Sequence, residues 1–86
     1  MTARTVEVTN PVGLHARPAS FFVNKACAYR STILLEKGEC RVNAKSVLSV
    51  LSMGIRQGDT VTLIANGQDE EAAVEGLVLL LGSQDL

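Results

Sequence analysis

Gly13-Leu14-His15-Ala16-Arg17-Pro18-Ala19 is the stretch from which the rest of this 86-residue chain can be read. It holds the single histidine, with an arginine two positions later and a proline directly after that. From Ala19 onward, Ala19, Phe22, Val23 and Ala26 fall at i, i+3, i+4 and i+7, the spacing of one buried helical face. Proline fits a helix only in its first turn, where the backbone N–H groups have no intrahelical partner. Pro18 therefore predicts a helix that starts at or next to His15 and runs to about Tyr29.

The placement has chemical consequences. A helix N-terminus offers unpaired N–H donors and roughly half a positive charge, which suits a phosphate or carboxylate. Arg17 adds a permanent cation that can grip a pair of anionic oxygens. Histidine is a nitrogen nucleophile, largely neutral at pH 7 when unperturbed. It is also a poor N-cap, a place where Ser, Thr, Asp and Asn are preferred. A broken local rule points to function, here a histidine that carries or passes an anion, phosphoryl first among them. The competing reading is a histidine that only caps a helix in a small-ligand or regulatory domain, which predicts no phosphorylation and tolerance of His15→Gln. One histidine and two separated cysteines form no metal-ligand cluster, so neither a metal nor a cofactor is expected.

Outward from this stretch, Thr5–Thr9 alternates as a first strand, with Val6 and Val8 on one face, and Asn10-Pro11-Val12-Gly13 is a loop. Ser31–Glu36 is a second strand, which Lys37-Gly38 turns back into a third over Cys40–Asn43. Val47, Leu48, Val50, Leu51 and Met53 make a short helix, apolar nearly all round, with Ser46 as its N-cap and Gly54 as its stop. Thr60–Ala65 is a fourth strand closed by Asn66-Gly67. Asp69, Glu70 and Glu71 then open a last helix whose buried stripe is Ala73, Val74, Leu77, Leu80 and Leu81. The order β-α-β-β-α-β-α implies an α+β fold in one domain over 1–86, an antiparallel sheet covered on one side by helices.

A helix six or so residues long cannot bury every side, so part of the Val47–Met53 surface should be exposed and open to a partner. Phe21, four residues after Arg17 on the same helical face, raises the same expectation beside the site. Core packing is the alternative for both.

Composition limits the field further. Apolar residues are 47% of the chain, so it is not disordered, and with only Phe21, Phe22 and Tyr29 as aromatics the core must be aliphatic. The net charge is −1 and the strands carry no stacking aromatics, which disfavours nucleic-acid binding. Residues 1–56 carry +5 and residues 57–86 carry −6, so the molecule is either dipolar, with a basic side that steers acidic partners, or mixes its charges on folding. Arg4 and Glu7 interrupt any apolar leader, and no run approaches the about 18 apolar residues needed to cross a bilayer, so a cytoplasmic protein is expected. Cys27 and Cys40 are expected as reduced, small core hydrophobes.

Gly13–Ala19 taken together with Lys45-Ser46-Val47-Leu48-Ser49-Val50-Leu51-Ser52-Met53-Gly54-Ile55 strongly resembles HPr, the histidine-containing phosphocarrier of the bacterial phosphoenolpyruvate-dependent sugar phosphotransferase system (PTS). The resemblance spans essentially the whole chain, and it implies an open-faced sandwich of four antiparallel strands under three helices. It implies that His15 takes a phosphoryl group on ring Nδ1 from enzyme I and passes it to enzyme IIA domains of sugar permeases, with no independent turnover. Arg17 and the N–H groups of Ala16 and Arg17 would hold the phosphoryl oxygens. Ser46 would be the target of HPr kinase/phosphorylase, with a catabolite-repression regulator as a further partner. Val47, Leu48, Leu51 and Ile55 would form the docking surface of a monomer, and Phe21, bulkier than the family pattern beside the active stretch, would join it and tune the choice of partner. The Ser46–Ile55 segment is closer to the sugar branch than to the nitrogen-related branch, which shares the His-Ala-Arg-Pro motif.

Overall fold

The computed structural model describes residues 1–10 and 16–82, with Ala16 and Arg17 as backbone only. Seven elements follow in the expected order: β1 (Thr2–Glu7), α1 (Ala16–Cys27), β2 (Thr32–Lys37), β3 (Cys40–Asn43), α2 (Val47–Ser52), β4 (Thr60–Asn66) and α3 (Glu70–Leu81). The four strands form one antiparallel sheet in the order β1-β4-β2-β3. All three helices lie on one face of it.

The register explains which residues meet the helices. Ile33 pairs with Ala65, Leu35 with Leu63 and Val6 with Val61, so one face of β2 and β4 is a continuous aliphatic surface. Directly opposed residues share a face, and the alternation sends their neighbours outward. Ile33, Leu35, Val61, Leu63 and Ala65 are buried, and α1 meets them with Ala19, Phe22, Val23 and Ala26. Ala73, Val74, Leu77 and Leu81 of α3 complete the core, while Leu80 is only half-buried. The other face of the sheet faces water, and there Thr5 and Thr62 share a hydroxyl hydrogen bond of 2.8 Å.

The structure shifts some boundaries. β1 begins at Thr2, three residues before the alternation predicts, because its partner β4 runs the full length from Thr60 to Asn66. Val8 lies beyond the strand, buried and bonded to the Gly58–Asp59 turn. α1 ends at Cys27, and the chain continues through tighter turns in which Ala28 and Tyr29 donate to Lys25 and Ala26. Both cysteines, expected in the core, are exposed. Cys27 is one position, about 100° of helix, past the buried Ala26, and Cys40 opens the edge strand β3.

Candidate functional site

The site stretch enters the described structure at its helical end. α1 begins at Ala16, so His15 immediately precedes the first helical residue, and His15 itself lies outside the described residues, as does the Arg17 side chain. The first turn comprises residues 16–19, whose N–H groups, Pro18 excepted, have no acceptor inside the helix. Pro18 and Ala19 are buried, which seats this turn on the core.

α2 packs against α1. Its start is fixed to the far end of α1: the Cys27 thiol donates to the Lys45 carbonyl at 3.8 Å, and Lys45 Nζ donates to the Tyr29 carbonyl at 2.8 Å. Ser46 is the N-cap, with extended backbone and its Oγ accepting the Ser49 N–H at 3.4 Å. Gly54, at φ +60°, ends the turn in a conformation that favours glycine. Ser46 thus lies by the carboxyl end of α1, and the 12 residues of that helix put about 18 Å between it and the end that follows His15.

The residues expected on a docking surface divide. Leu48 is 80% exposed, Phe21 46% and Val47 36%, while Leu51 is half-buried and packs on the core. Ile55 is a correction: it is wholly buried. After the turn at Gly54, Ile55 belongs to the buried core and offers nothing to a partner. α2 leaves Val47 and Leu48 exposed because its one turn and a half buries only Val50 fully.

Two features were not readable as functional. At the end of the sheet remote from the site, the Asp69 carboxylate accepts the N–H groups of Arg30 and Ser31, each at 2.9 Å, and the Ser31 hydroxyl at 2.5 Å. These bonds, the Ser31 hydroxyl foremost, hold the Asp69 carboxyl down at about 2. Glu70 is likewise held at about 2, first by the Thr2 hydroxyl. At the site's own end, Asp59 pairs with Lys37 at 2.9 Å and accepts the Arg56 N–H at 2.8 Å, which lowers its pKa. The only sequence signal for this turn is Gly58-Asp59 between a helix and a strand. Charges from the acidic C-terminal half thus fold onto the basic half, as the Lys37–Asp59 pair shows. Among the described residues, no group of three His, Cys, Asp or Glu side chains could hold a metal, and no helix is long and apolar enough to cross a membrane.

Comparison with known proteins settles the class. The family model "PTS HPr component phosphorylation site" matches residues 2–83. Phosphocarrier protein HPr of Lysinibacillus sphaericus is 40% identical over 86 residues, covering 100% of this chain and 98% of that protein. The crystal structure of HPr-C-His from Thermoanaerobacter tengcongensis superposes with a TM-score of 0.90 at 43% identity, covering 98% of this chain and 99% of that one. A crystal structure of Crh, the catabolite-repression HPr of Bacillus subtilis, described as a domain-swapped dimer, matches with a TM-score of 0.78 at 42% identity over 100% of this chain and 99% of that one. The chain belongs to the HPr family of phosphocarriers.

Proposed function

We propose that the chain, acting as one HPr domain over 1–86, accepts a phosphoryl group on Nδ1 of His15 from phospho-enzyme I of the PTS and passes it to enzyme IIA domains of sugar permeases. The observation that supports this most is the start of α1 at Ala16, immediately after the single histidine. The N–H groups of Ala16 and Arg17 then point toward the residue before them, where helix ends bind anions. The Arg17 guanidinium and these donors offset the dianion's charge and leave phosphorus open to in-line attack. A phosphoramidate on imidazole is reactive enough to be passed on, so the protein is a cosubstrate of two enzymes and needs no cofactor.

Phe21, Val47, Leu48 and the half-buried Leu51 are the docking surface in this reading. A small apolar patch of this kind suits fast, reversible binding to a partner. Ser46 is the regulatory position, modified by HPr kinase/phosphorylase and then read by a catabolite-repression regulator. A phosphate there adds about two negative charges. At about 18 Å from the start of α1 it acts on docking, not on the imidazole. The protein works in the cytoplasm as a 9.1 kDa monomer, unlike the swapped dimer of Crh, and sedimentation equilibrium distinguishes the two masses.

Reconstitution tests the route. With enzyme I, labelled phosphoenolpyruvate and an enzyme IIA domain, label should reach enzyme IIA only when this chain is present. Label that stops on the chain, or reaches enzyme IIA without it, contradicts the proposal.

A further inference from the structure

The peptide that joins Lys45 to Ser46 is tied down more fully than a helix start requires. The Lys45 N–H donates to Asn43 Oδ1 at 2.9 Å, and the Ser46 N–H donates to the Asn43 carbonyl at 3.2 Å. The Ser46 carbonyl then accepts the Val50 N–H at 3.0 Å and opens the first turn of α2. Two further bonds come from the end of α1 and the turn behind it. The Cys27 thiol donates to the Lys45 carbonyl, the oxygen of this same peptide, at 3.8 Å. Lys45 Nζ donates to the Tyr29 carbonyl at 2.8 Å. Tyr29 is itself held in place: its hydroxyl occupies the space that a Cβ at Gly76 of α3 would take, and Lys25 Nζ lies 5.6 Å from its ring centre.

The Lys45 bond is an uncommon use of a cation. Among the described residues the ion pairs are made by Lys37, Arg41 and the N-terminus, and none by the half-buried Lys45. Its charge goes instead to a neutral carbonyl just past the end of α1, where the helix dipole favours a cation. The Ser46 side chain is held more weakly. Its Oγ accepts the Ser49 N–H at 3.4 Å, longer than the usual range, and its hydroxyl proton has no acceptor among the described residues. The backbone tethers therefore decide where this oxygen lies. We propose that Lys45 is a positioning residue for phosphorylation of Ser46, acting through its bond to Tyr29 on the peptide that carries Ser46. The inference rests on the regulatory reading of Ser46 above and adds to it the group that holds the acceptor in place.

In that reaction Ser46 Oγ gives its proton to a base of the kinase and bonds to the γ-phosphorus of a nucleoside triphosphate, while the bond to the departing diphosphate breaks. The oxygen must lie in line with the bond that breaks, so a displaced cap lowers turnover at saturation. A lysine that met an acidic patch of the kinase would act on binding instead, and salt would weaken it. Three variants separate these roles. Lys45→Met keeps most of the stem and removes the donor, Lys45→Arg keeps a charged donor, and Lys45→Gln places its amide one atom short. For each, kcat and KM with HPr kinase/phosphorylase and labelled ATP are measured at two ionic strengths, on protein shown by thermal unfolding to be folded. Amide hydrogen exchange at Ser49, whose N–H reports the Ser46 cap, is measured beside them.

Lys45→Met should lower kcat about tenfold, within the roughly hundredfold that a misplacement of an ångström can cause, and leave KM unchanged at both ionic strengths. It should also speed exchange at Ser49, and Lys45→Arg should restore both. Wild-type kcat in Lys45→Met would overturn the proposal. So would a loss confined to KM that fades with salt, which assigns Lys45 to a charge contact with the kinase. A lowered kcat with unmoved Ser49 exchange would overturn it as well, because the cap would then be undisturbed. If Lys45→Met does not fold, Lys45→Gln must lower kcat and speed Ser49 exchange, and unmoved exchange overturns the proposal. A wild-type chain that the kinase leaves unmodified at Ser46 would refute the regulatory reading, whereas Ser49 exchange would still decide whether Lys45 holds the cap.

Discussion

At its carboxyl end α1 runs into Arg30 and Ser31, whose N–H groups are bound by the carboxylate of Asp69. Glu70 beside it takes the Thr2 hydroxyl, so the starts of β1, β2 and α3 and the end of β4 are joined by polar bonds. Along its flank, α1 and its neighbour α2 leave Phe21, Val47 and Leu48 uncovered. One region pairs its polar groups internally, carboxylate to backbone and hydroxyl. The other keeps apolar side chains in water, at a cost that only a partner removes. The contrast teaches where stability and function reside: substitutions in the first region should change unfolding, and those in the second should change transfer.

The sharpest form of that contrast lies in two adjacent residues. Phe22 is fully buried, and Phe22→Ala should cost about 3–5 kcal/mol of stability in chemical denaturation. Phe21→Ala should leave unfolding within about 1 kcal/mol while raising the KM for this chain as an enzyme I substrate. Equal destabilisation by both would erase the distinction. Next comes Gly67, where an added Cβ would lie 2.7 Å from Ser31 Cα. The two loops joined by Asp69 approach too closely for any side chain. Gly67→Ala should destabilise by about 1–3 kcal/mol, with phosphoryl transfer unchanged below the unfolding transition.

Acid should weaken the same region first. Asp69 and Glu70 are held at about 2, below the 3.8 and 4.5 of the free groups. A carboxyl depressed on folding stabilises the protein fully above its unfolded value and loses that contribution as pH falls through the folded value. The urea midpoint should therefore drop between about pH 4.5 and pH 2, and Asp69→Asn should flatten part of that fall. A midpoint independent of pH in this window would remove the carboxylates from the account. Leu48 carries the smallest expected effect on stability. At 80% exposure, Leu48→Ala should alter unfolding by no more than about 0.5 kcal/mol, and Ser46→Asp should likewise fold normally. Both should slow transfer from enzyme I, and normal transfer in either would take α2 out of the docking surface.

Much of this was legible in the sequence, for identifiable reasons. The Ala19-Phe22-Val23-Ala26 spacing, the Ile33–Leu35 alternation and the Ser46 cap are local patterns, and each recurs in the structure. β1 was blurred because it lies at the sheet edge and buries little, so nothing in Thr2–Arg4 alternates. Cys27, Cys40 and Ile55 were misplaced because composition says what a side chain prefers, whereas a helix end, an edge strand and one positive-φ glycine decided where each went. Asp69 read as a helix-dipole acid. It makes no side-chain bond to its own helix and instead reaches residues 38 and 39 positions earlier in the chain. Pairings at that separation leave no trace in spacing. The His15 motif was visible because its chemistry is local, a histidine, an arginine and the start of a helix within three residues.

The central claim is that the phosphoryl group rides on His15. Incubation with enzyme I and labelled phosphoenolpyruvate, beside a His15→Ala variant with an unchanged unfolding transition, tests it most directly. The account predicts label on the wild type that is lost in acid, as a histidine phosphoramidate is, and none on the variant. Acid-stable label, equal label on the variant, or none on the wild type with a competent enzyme I would contradict it.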